Sequence, residues 1–137
     1  MQTADLRSRF ASRAVARLAT VRPDGAPHVV PVVFALVDGT VYSAVDAKPK
    51  RTRRLQRLAN VRADPRCALL VDHYEEDWSE LWWVRLDGEA HILRDEPRRT
   101  EALAPLAAKY APYREVLPTG PVIVLTVRST ASWSASA

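Results

Sequence analysis

Short turn sequences between valine-rich segments constrain this fold more than any other feature. Residues 22–25 read RPDG, with proline and glycine where turn geometry favours them, and Asp38-Gly39 is a second turn signal. Each turn separates two β-prone segments, which is the pattern of a hairpin. Pro31, inside the second segment, cannot donate to a neighbouring strand, so it predicts a sheet edge, a bulge or a place where something other than a strand lies alongside. The pattern favours antiparallel hairpins over alternating βα units.

The whole sequence predicts about six strands and three helices. The segment 81–93 is either a strand pair or one long strand bent at Asp87-Gly88, and the Ser/Ala-rich residues after 127 read as a short tail. These elements predict a mainly β fold, an antiparallel β-barrel with helical decoration, formed by one domain over residues 1–137. The strands cover residues 14–21, 28–34, 40–45, 66–73, 81–93 and 122–127. Two helices cover residues 3–13 and 96–110, and another begins in a basic segment at residues 48–54 and ends at residue 63.

A basic segment, KPKRTRR at residues 48–54, concentrates five cations in seven residues. Pro49 suits a helix entry, so the free N–H groups of Lys50, Arg51 and Thr52 would point outward at the positive end of a helix dipole. Lys and Arg side chains then close around the oxygens of an anion, which predicts a phosphate site. Two alternatives stay open: a solvated basic helix face and a nucleic-acid patch.

Composition bounds these alternatives. The chain has 137 residues, of which 47% are apolar, and this suits one domain with an ordinary core. Its net charge is only +4, so the basic character is local, which weakens the nucleic-acid interpretation. The single cysteine, Cys67, cannot form an internal disulfide. We find no signal peptide and no membrane span, and therefore expect a cytoplasmic protein.

Catalytic motifs are absent from the sequence. His28, His73 and His91 are far apart, and none has a second ligand at a metal-binding spacing, so no metal site is predicted. The sequence also lacks a Gly-x-Ser-x-Gly elbow, a Gly-x-Gly-x-x-Gly fingerprint and a phosphate loop. No catalytic side chain can be assigned from these patterns.

The Trp82-Trp83 pair carries a further prediction. Neighbours on a strand face opposite ways, so one ring can enter the core while the other faces a groove or a partner. Core packing alone would also account for such a pair.

Three segments, in this order, resemble a known family: ATVRPDGAPHVVPV at 19–32, KRTRRL at 50–55 and NVRADPRCALLVD at 60–72. They are similar to the pyridoxamine 5′-phosphate oxidase-like split β-barrel superfamily, and within it to the actinobacterial branch of oxidoreductases that use the deazaflavin coenzyme F420. The resemblance spans residues 6–133. It implies a six-stranded FMN-binding split barrel that forms a homodimer with two cofactors at the subunit interface.

The resemblance also implies site residues. It places the cofactor phosphate on Lys50 and Arg51 and the tricyclic ring beside the second strand, with the two tryptophans supplied by the other subunit. This chain has no counterpart of the residues that hold pyridoxal phosphate in pyridoxamine phosphate oxidase itself, so the resemblance does not imply the vitamin-B6 reaction. The full set is Lys48, Lys50, Arg51, Thr52 and Arg54 for the phosphate, Val30, Pro31, Val32, Val33, Tyr42 and Ser43 for the ring, and Trp82 and Trp83 for the wall.

Three functional hypotheses follow. The first is an F420-dependent oxidoreductase acting on a small-molecule substrate, in which the cofactor transfers the hydride and an acid/base pair is not required. The second is an FMN-dependent enzyme or FMN carrier on the same fold. The third is a non-enzymatic module that binds nucleic acid or another anion through the basic helix. The resemblance favours the first, without a nucleic-acid partner.

Overall fold

The computed structural model describes residues 3–45 and 51–136, and for residues 3, 4 and 51–55 it describes the backbone. Seven antiparallel strands form one sheet with the spatial order β2-β1-β5-β6-β7-β4-β3. The strands are β1 (Ala16–Val21), β2 (Pro27–Val32), β3 (Ala35–Val37), β4 (Thr40–Ala44), β5 (Arg66–His73), β6 (Trp82–Leu93) and β7 (Val122–Ser134). The helices are α1 (Thr3–Ser12), α2 (Arg51–Ala63), α3 (Arg98–Lys109) and α4 (Ala111–Glu115), with a 3-10 turn at Trp78–Glu80.

The order of the strands requires the sheet to curl. β2 ends at Val32 and β3 begins at Ala35, although these strands lie at opposite edges of the sheet. Three residue steps span at most about 11 Å, so the two edges approach each other at this point. The result is a barrel with a seam between β2 and β3. The predicted antiparallel split β-barrel is confirmed.

The strand count of six is wrong, because the short strand β3 is a seventh. It follows Phe34 without an intervening turn residue, so nothing in the local sequence marks a new strand. The predicted end of the last strand, at residue 127, is also wrong. Residues after 127 continue the strand to Ser134 and pair with the first half of β6, with Ser134 opposite Trp82. These residues are mostly exposed, so the β6 ladder extends the strand without an apolar signal in the sequence.

The segment 81–93 is one long bent strand rather than a pair. Its register with β7 shifts between Asp87 and Gly88, which marks a β-bulge at the predicted bend. A Cβ atom at Gly88 would collide with the backbone carbonyl of Thr126, so the strands approach too closely there for any other residue.

Two apolar layers hold the sheet. The barrel interior contains Phe10 of α1 against Phe34, with ring centroids 4.9 Å apart, and α1 thereby packs on the interior core. On the outer face, Leu103 and Leu106 of α3 are fully buried against Val122 and other residues of the sheet. β7 is the most apolar strand because its first half is buried on both faces.

A buried polar contact fixes α2 on the sheet. Asn60 is 0% exposed; its amide nitrogen donates to the Thr20 hydroxyl of β1 at 3.0 Å, and its oxygen accepts from the Gln56 amide at 2.7 Å. Leu58 and Val61 join the interior core from the same helix. The beginning of α2, where the basic segment lies, is therefore anchored through the middle and end of the helix.

Candidate functional site

The predicted phosphate segment lies at the beginning of α2. The described helix begins at Arg51, so the basic segment is helical from that residue on, and the expected helix entry at Pro49 lies outside the described residues. Lys48 and Lys50 lie outside the described residues. Arg51, Thr52 and Arg54 are in the first turns of the helix, where the backbone is described. Their role toward an anion stays a prediction.

The predicted ring-binding segment lies on the edge strand β2. Pro31 is exposed and pairs with Arg17 of β1, and β2 has no second partner among the described strands. The sheet edge, one of the three interpretations of Pro31, is therefore confirmed. Val32 is buried in the core and Val30 packs partly against it. This edge leaves backbone groups of β2 unpaired, which suits hydrogen bonding to a flat heterocycle as well as to another chain.

The structure brings Ser43 and Val33 into direct contact. The Ser43 hydroxyl is buried and donates to the Val33 carbonyl at 2.8 Å, which ties β4 to the end of β2 across the seam. Tyr42, the next residue along β4, faces the opposite side of the sheet. There it lines a cavity of about 570 Å³ together with His91 and Arg98. The two β4 residues predicted to touch one ring therefore point to different sides of the strand.

A residue that the sequence did not single out closes the same seam. The Tyr110 hydroxyl accepts from the Phe34 amide at 3.1 Å and lies 2.8 Å from the Ala14 carbonyl and 3.0 Å from that of Phe34. Its single proton can serve either carbonyl. Burial raises the pKa of Tyr110, and the hydrogen bond to Phe34 opposes this rise. The contact spans up to 96 residues, so no local pattern could have revealed it.

Lys109 lies beside this contact. Its ammonium group is 3.6 Å from the Phe34 ring centroid and 5.2 Å from that of Tyr110. The Nζ atom is buried without a hydrogen-bond partner, and burial lowers the pKa of Lys109 to about 8. The two rings favour the charged form and offset part of this burial cost. Lys109 is thus a partly desolvated cation at the barrel seam.

The two tryptophans occupy opposite faces of β6. Trp82 packs against the interior core and is close to two cations of its own chain, with the guanidinium carbons of Arg9 and Arg13 at 5.1 Å and 5.8 Å from its ring centroid. Trp83 is paired with Trp133 of β7 and so shares the other face. Tyr42 pairs with Val124 of β7, and Val124 pairs with His91 of β6. His91 lies nine residues from Trp82, which is up to about 30 Å along the strand. Within one protomer the tryptophans do not adjoin Tyr42, and their role as a wall supplied by a partner stays a prediction.

The titratable groups show no metal cluster. In the two described ranges, no three His, Cys, Asp or Glu side chains are close enough to hold a metal ion. His73 Nε2 lies 2.6 Å from a Glu75 oxygen, and His28 Nδ1 is buried without a hydrogen-bond partner. Burial, reinforced by Glu89 and Asp87, raises the pKa of the Cys67 thiol to about 12. That thiol is therefore unsuited to nucleophilic chemistry. None of the helices in the described part of the chain has the length and apolarity to cross a bilayer.

Comparisons with known proteins agree with this fold. The family described as pyridoxamine 5′-phosphate oxidase matches residues 3–134. A search of curated proteins gave no match. Among solved structures, a conserved hypothetical protein of Mycobacterium tuberculosis is 23% identical with a TM-score of 0.80, covering 98% of this chain and 86% of its own. A FAD-binding protein of Mesorhizobium loti is 20% identical with a TM-score of 0.71, covering 96% and 94%. A heme-binding protein of Mycobacterium smegmatis is 23% identical with a TM-score of 0.69, covering 96% and 57%.

Proposed function

This chain belongs to the pyridoxamine 5′-phosphate oxidase family, and on that premise we propose that it is an oxidoreductase that binds coenzyme F420. It would transfer a hydride between this deazaflavin and a small organic substrate. The bound cofactor supplies the hydride chemistry, whereas the protein binds it, orients it and excludes water.

One observation carries the proposal. Ser43 at the buried end of β4 hydrogen-bonds Val33 at the end of β2, whose edge is free, and the basic helix α2 is the element that follows β4 along the chain. An unpaired strand edge suits the polar rim of the ring, and a cationic helix start suits the phosphate. Lys50 and Arg51 would hold the phosphate, and Lys48, Thr52 and Arg54 would support it.

The cofactor is tested by titration. F420 and FMN are titrated separately into purified protein at low ionic strength, and we expect F420 to bind more tightly. F420 continues beyond its phosphate into an acidic oligoglutamate tail, which the extra cation Arg53 can meet. An exposed pair contributes about 0.2–1 kcal/mol and weakens with salt, so Arg53→Ala should lose part of the preference at low salt and little at high salt.

The phosphate site is tested by Lys50→Ala/Arg51→Ala. Charge-assisted bonds of this kind contribute roughly 1.5–3 kcal/mol each, so affinity should fall by about two to three orders of magnitude while the fold is retained. Arg62→Ala is the matched control, because Arg62 is an exposed cation at the far end of the same helix. Unchanged affinity in a folded double variant would contradict the phosphate assignment.

The alternatives give different results in the same experiments. FMN binding that equals or exceeds F420 binding at every salt concentration would favour the FMN hypothesis. Salt-sensitive DNA binding without affinity for either cofactor would favour the nucleic-acid hypothesis.

We also propose that the functional unit is a homodimer. Trp82 and Trp83 lie far from Tyr42 along β6 of the same chain, which supports a wall supplied by a second copy. An interface of this kind buries on the order of 1,000 Å² or more. Sedimentation at micromolar concentration should show a dimer with cofactor present, and a monomer would contradict the shared site.

A further inference from the structure

Trp133, near the end of β7, holds a large exposed ring beside Trp83. The sequence around it predicted a tail, but β7 continues to Ser134 and pairs Trp133 with Trp83 of β6. Trp82 packs against the interior core, so the alternation of a strand puts Trp83 and Trp133 together on the outer face. Trp133 is 46% exposed, and among the described rings it forms no aromatic pair. Its own chain therefore leaves this ring open to contact.

Trp82, in contrast, is occupied within its own chain. Its ring stacks on His73 with the centroids 6.4 Å apart, and two arginine side chains also lie close to it. Trp83 has one contact of this kind, with the Arg85 guanidinium carbon 6.0 Å from its centroid. The pair of indoles that can meet a ligand is therefore Trp83 with Trp133, rather than Trp82 with Trp83.

Both indoles lie far from the candidate cofactor pocket of their own protomer. In the sheet, β7 is four strands away from β2, which is about 19 Å at roughly 4.8 Å per strand. Along β7, Trp133 is nine residues from Val124, the residue that pairs with Tyr42, and this is up to about 30 Å. These separations favour a pocket that receives the two rings from a second copy of the chain.

We propose that Trp133, together with Trp83, forms the wall against the cofactor ring in the other protomer of a homodimer. This inference rests on the proposed function and adds a positioning residue to its site. Two indoles on adjacent strands, about 4.8 Å apart, offer a flat apolar surface to a tricyclic ring. Stacking of this kind contributes affinity and fixes the plane of the ring, whereas the hydride chemistry belongs to the cofactor.

The first experiment measures cofactor affinity in single variants of the full chain. The probe is F420, or FMN should the wild type bind FMN more tightly. Trp133→Leu should weaken binding by about five- to a hundredfold, and Trp133→Tyr, which keeps an aromatic ring, should retain most of the affinity. Trp133→Thr suits an exposed strand position and keeps the test valid should Trp133→Leu fail to fold.

Trp78→Leu is the matched control, because Trp78 is 76% exposed on the 3-10 turn. It should change cofactor affinity by less than about twofold. Wild-type affinity in folded Trp133→Leu or Trp133→Thr would overturn the inference and leave the proposed function intact.

A heterodimer tests whether Trp133 acts on the other protomer. One chain carries Lys50→Ala/Arg51→Ala, the other carries Trp133→Leu, and different affinity tags isolate the mixed dimer. If Trp133 acts across the interface, the Trp133→Leu chain supplies the phosphate residues and the other chain supplies Trp133, so one site is complete. We therefore expect one cofactor per mixed dimer to bind with wild-type affinity. A folded mixed dimer without a tight site would overturn the inference.

Failure of the proposed function gives different results. A wild-type chain that binds neither cofactor, or a Lys50→Ala/Arg51→Ala variant with wild-type affinity, would contradict the proposed cofactor site itself. Because the inference rests on that site, either result would overturn the inference as well.

Discussion

Replacing Asn60 by alanine tests whether a buried hydrogen-bond chain holds α2 on the barrel. Asn60 is completely buried and joins Gln56 of its own helix to Thr20 of β1, which is 3% exposed. In Asn60→Ala the Thr20 hydroxyl stays buried without its partner, which costs about 1–3 kcal/mol. Gln56 is partly exposed, so its amide can hydrogen-bond to water in the variant. The loss of its hydrogen bond to Asn60 therefore costs about 0.5–1.5 kcal/mol.

Two smaller effects also contribute to the change in the free energy of unfolding. The cavity left by the missing amide adds to the cost, and the better helix propensity of alanine offsets about 0.5 kcal/mol. We therefore expect Asn60→Ala to lower the free energy of unfolding by about 2–4 kcal/mol. The measurement is urea unfolding followed by tryptophan fluorescence, at one fixed protein concentration for all variants.

A double-mutant cycle separates the hydrogen bond from other effects. Thr20→Val alone leaves the Asn60 amide unsatisfied, but in Asn60→Ala/Thr20→Val both polar partners are gone. The double variant should therefore be more stable than the sum of the single losses predicts, by about 1–2 kcal/mol. Arg62→Ala, at an exposed position of α2, should change stability by less than about 0.5 kcal/mol. Additive losses, or an Asn60→Ala change as small as that of the control, would refute the reasoning.

Three further predictions concern Lys109, Cys67 and Gly88. The pKa of Lys109 in the folded protein, about 8, lies below the value of 10.5 for an unfolded chain, so the unfolded chain binds more protons between these values. Lys109 should therefore make stability rise with pH from about 8, an effect that Cys67, with its pKa raised from 9.0 to about 12, opposes above pH 9. Lys109→Met should remove the Lys109 contribution; urea unfolding at several pH values would show the same slope in both proteins if the assignment is wrong. Cys67, with its pKa raised to about 12, should resist a thiol reagent in the native protein and react when urea unfolds it; rapid native labelling would contradict its burial. Gly88→Ala should cost about 1–3 kcal/mol or more because of the Thr126 carbonyl, whereas Gly39→Ala, which meets no atom within 4 Å, should cost far less; equal melting temperatures of these two variants would argue against the close approach.

Local chemistry made a large part of the fold predictable. The hairpin turns, the edge position of Pro31, the helical basic segment and the bend at Gly88 each follow from the backbone preferences of a few adjacent residues. The opposite orientations of Trp82 and Trp83 follow from the two-residue repeat of a strand. These signals act within a few residues, so they are visible in the sequence without the fold.

The tertiary structure alone decided which distant segments meet. Tyr110 closes the seam by contacts with Ala14 and Phe34, and Arg9 reaches Trp82 although more than 70 residues separate them. The extension of β7 to Ser134 likewise depends on pairing with β6 and has no apolar pattern of its own. Such contacts arise from packing and cross-strand register, which relate residues by their position in space. The sequence by itself therefore determined most of the elements and their hairpin order, whereas β3, the second half of β7, the barrel closure and the surroundings of Lys109, Tyr110 and Arg9 required the folded chain.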